Sequence, residues 1–232
     1  MSFLWLLLTV LVFTALVKLG FWQNSRALEK ELRINRIEQL KAQSPLSLAE
    51  VNSLAMSENI NDMPVIITGS FDKQAVLLLD NQVNNGGLGY RVYQVFTTKE
   101  HTVLVNLGWI KGIQNRQELP TIEALEGKYN IRGNVRLIDV GIQLKEQVFT
   151  DAKWPLRVQQ VELDKLSLLI KKRLLPYVIY LDKNEKIGFI KNWQPIVMPP
   201  EKHRAYAFQW FSLAATWLIL MVWSKFGLRK AN

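Results

Sequence analysis

Two uncharged apolar runs bracket this chain and limit what it can fold into. Residues 1–17 carry no charged side chain, and neither do residues 205–224. Each end supplies roughly 20 residues of membrane-compatible sequence, enough to cross a hydrocarbon core of about 30 Å at about 1.5 Å per residue. Trp5 and Trp22 fall near the two ends of the first run, where aromatic rings favour the interface. Lys18 is close enough to an end for its stem to snorkel. The overall 49% of hydrophobic residues conceals this segregation. What remains between the runs suffices for one domain with its own core.

The sequence therefore divides into a transmembrane helix at 1–22, a β-rich domain at 23–204, a second transmembrane helix at 205–224 and a basic tail at 225–232. Within the domain, 23–42 reads as a juxtamembrane helix that continues the first span. Residues 23–204 hold all 20 acidic residues against 25 of the 29 Lys and Arg, a net of +5 out of the chain's +9. That is a mildly basic domain beside an anionic membrane surface, with no stripe suited to nucleic acid. Lys225, Arg229 and Lys230 follow the second run directly. Positive charge so close to a span is retained in the cytoplasm, which puts both termini there and the domain outside. The first run is longer than the core of a signal peptide and has only the N-terminal amine before it, so it reads as a retained anchor. The chain has no cysteine, which excludes thiolate nucleophiles, thiolate metal sites and disulfides.

From Gln23 onward Leu28, Leu32, Ile37 and Leu40 recur at helical spacing. Leu19, Trp22, Arg26 and Glu29 lie along one stripe of that helix, with Lys30 at its border. Pro45 closes it. Ser47-Leu48-Ala49-Glu50 is a capping box, with Leu46 and Val51 placed as its staple, and predicts a short helix over 48–56. Stretches rich in β-branched and aromatic residues follow at 64–71, 74–83, 90–97, 102–110, 129–138, 145–150 and 156–161. Turn signals such as Asn84-Asn85-Gly86-Gly87 separate them. Seven short strands predict a small antiparallel barrel or sandwich. Asp164 to Leu175 reads as a helix stopped by Pro176, and 177–182 as another strand. A further strand is expected at 187–193. The fold class is thus α+β: two transmembrane helices flanking a β-rich external domain with two or three helices.

Only two histidines are present. His101 reads as a polar turn residue. His203, Tyr206 and Trp210 are spaced so that a helix starting near His203 aligns them. Two readings stand side by side there. A neutral imidazole at an interface suits the axial position of a haem iron, with aromatic neighbours packing the porphyrin. Alternatively, all three residues belong to an interfacial belt. Arg26 either pairs with a propionate or an acidic partner, or meets lipid phosphate. Gln209, about a turn inside the second span, seeks a hydrogen-bond partner in the first span or in another membrane protein. Asn106 and Trp109 flank Gly108 in a strand, where glycine marks a bulge or a close approach. They are candidates for partner recognition, against a plain role in the β core. No HExxH, GxxxxGK, GxSxG or GxGxxG occurs, so no enzymatic constellation is marked. The expectation is a binding protein with no catalytic residues and no metal site.

LGFWQNSRALEK (19–30), PVIITGSFD (64–72), VLVNLGWI (103–110) and HRAYAFQWFSLA (203–214) stand in this order. Together they resemble the surfeit-locus protein 1 family of assembly factors for haem-copper cytochrome c oxidase. The match of order and spacing covers nearly the whole chain. One departure stands out: Leu107 takes the place of the family's Arg in VNRGW. The resemblance implies support of haem a delivery to oxidase subunit I, with haem a held transiently. It implies subunit I, haem a synthase and membrane lipid as partners. It implies the bacterial inner membrane as the location, with both termini cytoplasmic and the domain periplasmic. His203 matches the family's histidine proposed to handle haem. Trp22, Gln23 and Arg26 match the first junction, and Tyr206 and Trp210 the second. A scaffold that stabilises an assembly intermediate without binding haem is the alternative. If the two junctions form one site, Arg26 and His203 should be neighbours.

Overall fold

A computed structural model describes residues 3–115, 118–138, 149 and 153–227. The expected strand at 145–150 lies outside the described residues apart from Phe149, as do the side chains of the basic tail. The chain forms two compact units, Met1–Gln39 with Gln194–Asn232, and Leu40–Trp193.

The first unit is a helical hairpin. α1 runs from Phe3 to Lys41 without interruption, and α4 from Pro200 to Gly227. Nothing between the first run and Lys41 breaks a helix, because the first proline is Pro45. Both helices are long and apolar enough to cross a membrane, with mean hydropathies of 2.2 and 1.5 in their most apolar windows. Those windows are only 6% and 11% buried. A core helix of a water-soluble protein would hide such residues; these present Phe3, Leu11, Phe21, Phe208 and Trp223 outward.

The two helices run antiparallel along a seam. On α1 the buried and partly buried positions include Thr9, Phe13, Leu16, Gly20, Gln23 and Ala27; on α4 they are His203, Ala207, Trp210, Ala214, Trp217 and Met221. Both sets step by four and three alternately, the heptad spacing of left-handed helix pairs. Gly20, Ala27, Ala207 and Ala214 are the small residues that let membrane helices approach closely. Phe21 and Phe211 pack edge to face at 5.3 Å between centroids. Thr9 Oγ1 donates to Trp5 O and reaches Met221 Sδ, while Trp217 Nε1 donates to Thr9 O.

The second unit is a closed barrel. In chain order it contains α2 (Leu48–Leu54), β1 (Pro64–Asn84), β2 (Gly87–Thr97), β3 (Thr102–Lys111) and β4 (Gly127–Arg136), then β5 (Leu156–Val158), α3 (Leu163–Ile170) and β6 (Leu174–Leu181). Strand order β2-β3-β6-β4-β1 is closed by pairing of β1 with β2, the circuit of a five-stranded OB-type barrel. β5 adds to β1 outside that circuit. Closure removes the free edges that an open sheet would expose.

β1 makes closure possible by serving two neighbours. Its first part, Pro64–Phe71, pairs with β4, and Ser70–Asn84 pairs with β2. Two register shifts, after Phe71 and after Leu79, bend it between them. The expected strands at 64–71 and 74–83 are therefore halves of one. Asn85-Gly86 makes the two-residue hairpin to β2 with φ of 47° and 76°, the pattern that Asn-Gly favours.

Successive residues of the apolar run QAVLLLD sort to opposite faces, as period-2 alternation requires. Leu78 joins Val92, Val105, Ile131, Tyr177 and Ile179 in one buried cluster. Leu77 joins Tyr93, Leu104 and Val178 in a second, covered by Leu156 and Leu166 from β5 and α3. The capping box forms as expected: Ser47 N donates to Glu50 Oε2 and Glu50 N to Ser47 Oγ.

Three expectations change. The sheet is mixed, because β3–β6 and β1–β5 are parallel, so the unit is neither a purely antiparallel barrel nor a sandwich. The helix expected to reach Leu175 ends at Ile170, where Lys171 turns into the left-handed region at φ 54°. Leu174 and Leu175 then begin β6, and Pro176 sits where the β3–β6 register slips, so its missing N–H is tolerated. Finally, 187–193 contributes only an isolated bridge, Trp109 to Ile190.

Candidate functional site

Gln23 and His203 meet where polar sequence begins on each helix of the hairpin. Pro200 opens α4, a position where the absent N–H costs nothing, and His203 follows within the first turn. Its side chain is 8% exposed. His203 Nδ1 lies 2.8 Å from Gln23 Oε1. An amide oxygen only accepts, so Nδ1 carries a proton, and in the neutral ring Nε2 is then the atom with the lone pair. This arrangement fixes the orientation of the ring as well as its tautomer.

Around this pair the polar groups bridge or flank the helices. Arg204 Nη2 donates to Glu31 Oε2 at 2.6 Å, a second tie between α4 and α1. Arg26 donates to Glu29 Oε2 at 2.6 Å and lies over the Trp22 ring at 5.9 Å. The Arg26 hydrogen bond, with Lys30 assisting, holds the Glu29 carboxyl below its ordinary pKa. Trp22, Arg26 and Glu29 are exposed, on the stripe that the sequence outlines, and that stripe faces away from the seam. Among the described residues, Arg26 has contacts with Glu29 and Trp22 and none with His203. The hydrogen-bond partner of the histidine is Gln23.

The second-junction residues also divide. Trp210 lies in the seam with His203 and Ala207, whereas Tyr206 is 47% exposed and points outward. Gln209 is exposed as well, so it does not tie the two helices together. The spacing of His203, Tyr206 and Trp210 fits one broad helix face, but the partner helix covers only its middle line.

Asn106 and Trp109 belong to the barrel and are 4% exposed each. Asn106 Oδ1 accepts from Gly108 N at 2.8 Å, and Trp109 Nε1 donates to Gln82 O at 2.8 Å. Between Asn106 and Gly108, Leu107 is the extra residue of a bulge opposite Val92 and Tyr93. Gly108 has φ 117°, and a Cβ there would meet Ile190 O at 2.8 Å. These residues build the barrel wall and are almost wholly buried. Leu107 is 1% exposed within the core, which shows what the departure from VNRGW does here: it adds an apolar core side chain.

His101, at the β2–β3 turn, contacts Asn52 Nδ2 at 3.3 Å, and Asn52 Oδ1 accepts from Tyr177 OH at 2.7 Å. No group of metal-ligating side chains occurs among the described residues.

Residues 10–215 match the model of the SURF1 family. A SURF1-like protein of Rickettsia felis (strain ATCC VR-1525 / URRWXCal2) is 30% identical over 121 residues, which is 51% of this chain and 50% of that protein. The match thus spans about half the length of this curated relative.

Proposed function

The chain belongs to the SURF1 family, and on that premise we propose that it assists assembly of a haem-copper cytochrome c oxidase from a membrane anchor, supporting delivery of haem a to subunit I. The working location is the bacterial inner membrane, with both termini cytoplasmic and the barrel in the periplasm. Subunit I and haem a synthase are its partners. The chain acts by binding and positioning, without chemistry on a substrate.

The observation that carries this reading is the Gln23–His203 hydrogen bond. A histidine that ligates iron commonly gives its other ring N–H to an acceptor, which sets tautomer and orientation. Gln23 supplies that acceptor and leaves Nε2 as the donor atom. Haem a is then a cargo held for a time at the junction. Trp210, two turns along the same seam, offers an aromatic wall, and Arg26 at the exposed rim offers a guanidinium to a propionate.

A second reading has an observation of its own. His203 is only 8% exposed in a helix seam, which also suits a clasp between helices. On that reading the chain is a scaffold that stabilises an assembly intermediate without haem.

Deletion of the gene, followed by measurement of oxidase activity and haem a in membranes, tests the function. Loss of both supports it, and fully haem-loaded oxidase overturns it. The visible absorption of protein purified from a haem-a-producing host separates the readings. A haem band lost on His203→Ala supports cargo binding; absence of haem from the wild type supports the scaffold.

A further inference from the structure

A ladder of guanidinium and aromatic groups crosses the outside of the barrel where β2, β6 and β4 meet the segment after β6. Arg91 lies over the Tyr180 ring at 5.5 Å, Tyr180 meets Trp193 edge to face at 5.0 Å, and Arg136 lies over Trp193 at 5.3 Å. All four side chains are partly exposed. They come from residues that are far apart in sequence, and several bonds hold them in place. Tyr180 OH is hydrogen-bonded to Tyr93 OH at 3.1 Å. Lys191 Nζ donates to the carbonyls of Glu185 and Ile187 at 2.8 and 2.7 Å, fixing the segment that carries Trp193.

The two arginines differ in what balances them. Arg136 is 3.5 Å from Asp62. Arg91 makes no ion pair with a carboxylate among the described residues, and its Nε is buried without a hydrogen-bond partner. A buried donor left unpaired is costly, and more so when it is charged. Beside it lies a shallow notch of about 10 Å³, lined by Arg91, Asn106, Tyr180, Lys191, Asn192 and Trp193. That is room for about one water, so a partner group meets the ladder at the surface and does not enter a pocket. The cation–π contact with Tyr180 restrains the guanidinium, and a restrained guanidinium suits two-point recognition of a carboxylate. Tyr, Trp and Arg are also the residues that dominate binding energy at protein interfaces.

We propose that this ladder is a docking surface for an acidic stretch of a partner protein, with Arg91 receiving a carboxylate side chain from it. The surface lies wholly on the barrel and uses none of the residues at the helix junction. It therefore stands or falls independently of haem handling.

Fluorescence anisotropy with the full chain in detergent at low salt provides the test. The probes are a labelled Glu-Ser repeat peptide and its Gln-Ser counterpart. The Glu peptide should bind and the Gln peptide should not. Arg91→Gln should weaken binding about tenfold or more, the loss expected for a charge-assisted hydrogen bond. Arg91→Lys should also weaken it, since an ammonium keeps the charge but neither stacks nor binds two-pronged. Lys73→Ala, which removes one exposed charge elsewhere on the barrel, should leave binding within about twofold, as expected when only one exposed charge is lost. Equal binding by the Arg91→Gln protein, or an equal loss in Lys73→Ala, overturns the proposal. So does a result in which Arg91→Gln abolishes binding to phosphatidylglycerol vesicles but not to the peptide, since the surface then reads lipid phosphate.

Discussion

Gln23 Oε1 and His203 Nδ1 stand 2.8 Å apart although 180 residues separate them in sequence. That bond joins two of the four segments that carry the family resemblance, and it places a histidine that donates from Nδ1 where each helix turns polar. Gln23→Leu should remove the acceptor, while Gln23→Glu keeps one. The Leu variant should lose about 0.5–1.5 kcal/mol of hairpin stability, read by thermal unfolding in detergent. It should also lower oxidase activity in complemented cells, and the Glu variant should retain most of both.

The seam tolerates only small side chains at Gly20. A Cβ there would stand 2.5 Å from Phe211 Cε1. Since the obstacle is a ring, Gly20→Ala should be absorbed in part by rotation of Phe211. Gly20→Leu should not, and should cost about 1–3 kcal/mol through overpacking. Adding Phe211→Ala to Gly20→Leu should recover stability, which a double-mutant cycle in detergent can measure.

Leu107 and Gly108 set the shape of the barrel wall. Leu107→Ala should cost about 2–5 kcal/mol by opening a cavity in the core. Gly108→Ala should cost about 1–3 kcal/mol, because alanine is strained at φ 117° and its methyl group meets Ile190 O. Denaturant unfolding of the full chain followed by far-UV circular dichroism checks both values.

Much of this architecture was legible in the sequence, and the failures have physical causes. The apolar runs, the capping box and the Asn-Gly hairpin are local signals, and all three appear in the structure. The continuity of β1 was hidden because the charged pair Asp72 and Lys73 separates the two expected strands, whereas it lies at a bend within one strand. The end of α3 was hidden because Lys171, rather than glycine, adopts the left-handed cap. Parallel pairing of β3 with β6 joins residues some 70 positions apart, beyond any local pattern. At the junction, His203 was singled out by residue type and Gln23 by the family resemblance, but their pairing depends on helix rotation. The heptad seam fixes that rotation through Gly20, Ala27, Ala207 and Ala214, and it turns Arg26 away. Arg91 left even less trace, as a single charge in the strand YRVYQVFT.

Two tyrosines should resist alkali. Burial pushes the Tyr177 hydroxyl well above its ordinary pKa, and burial with the neighbouring Tyr180 does the same for Tyr93. A folded pKa raised above the unfolded one gives stability that is complete below the unfolded value of about 10 and lost as pH rises through the folded value. In an absorbance titration, two of the six tyrosines should therefore ionise only as the barrel unfolds. Tyr93→Phe and Tyr177→Phe should each remove one late-ionising group.

The most direct measurement is the haem a bound per subunit I in membranes of cells whose only copy of this chain carries His203→Ala, at a protein level matched to wild type. Haem a and oxidase activity should both show a clear deficit, with Gln23→Leu showing a smaller deficit in the same direction. Full haem loading and normal activity in the His203→Ala cells would contradict haem handling at His203.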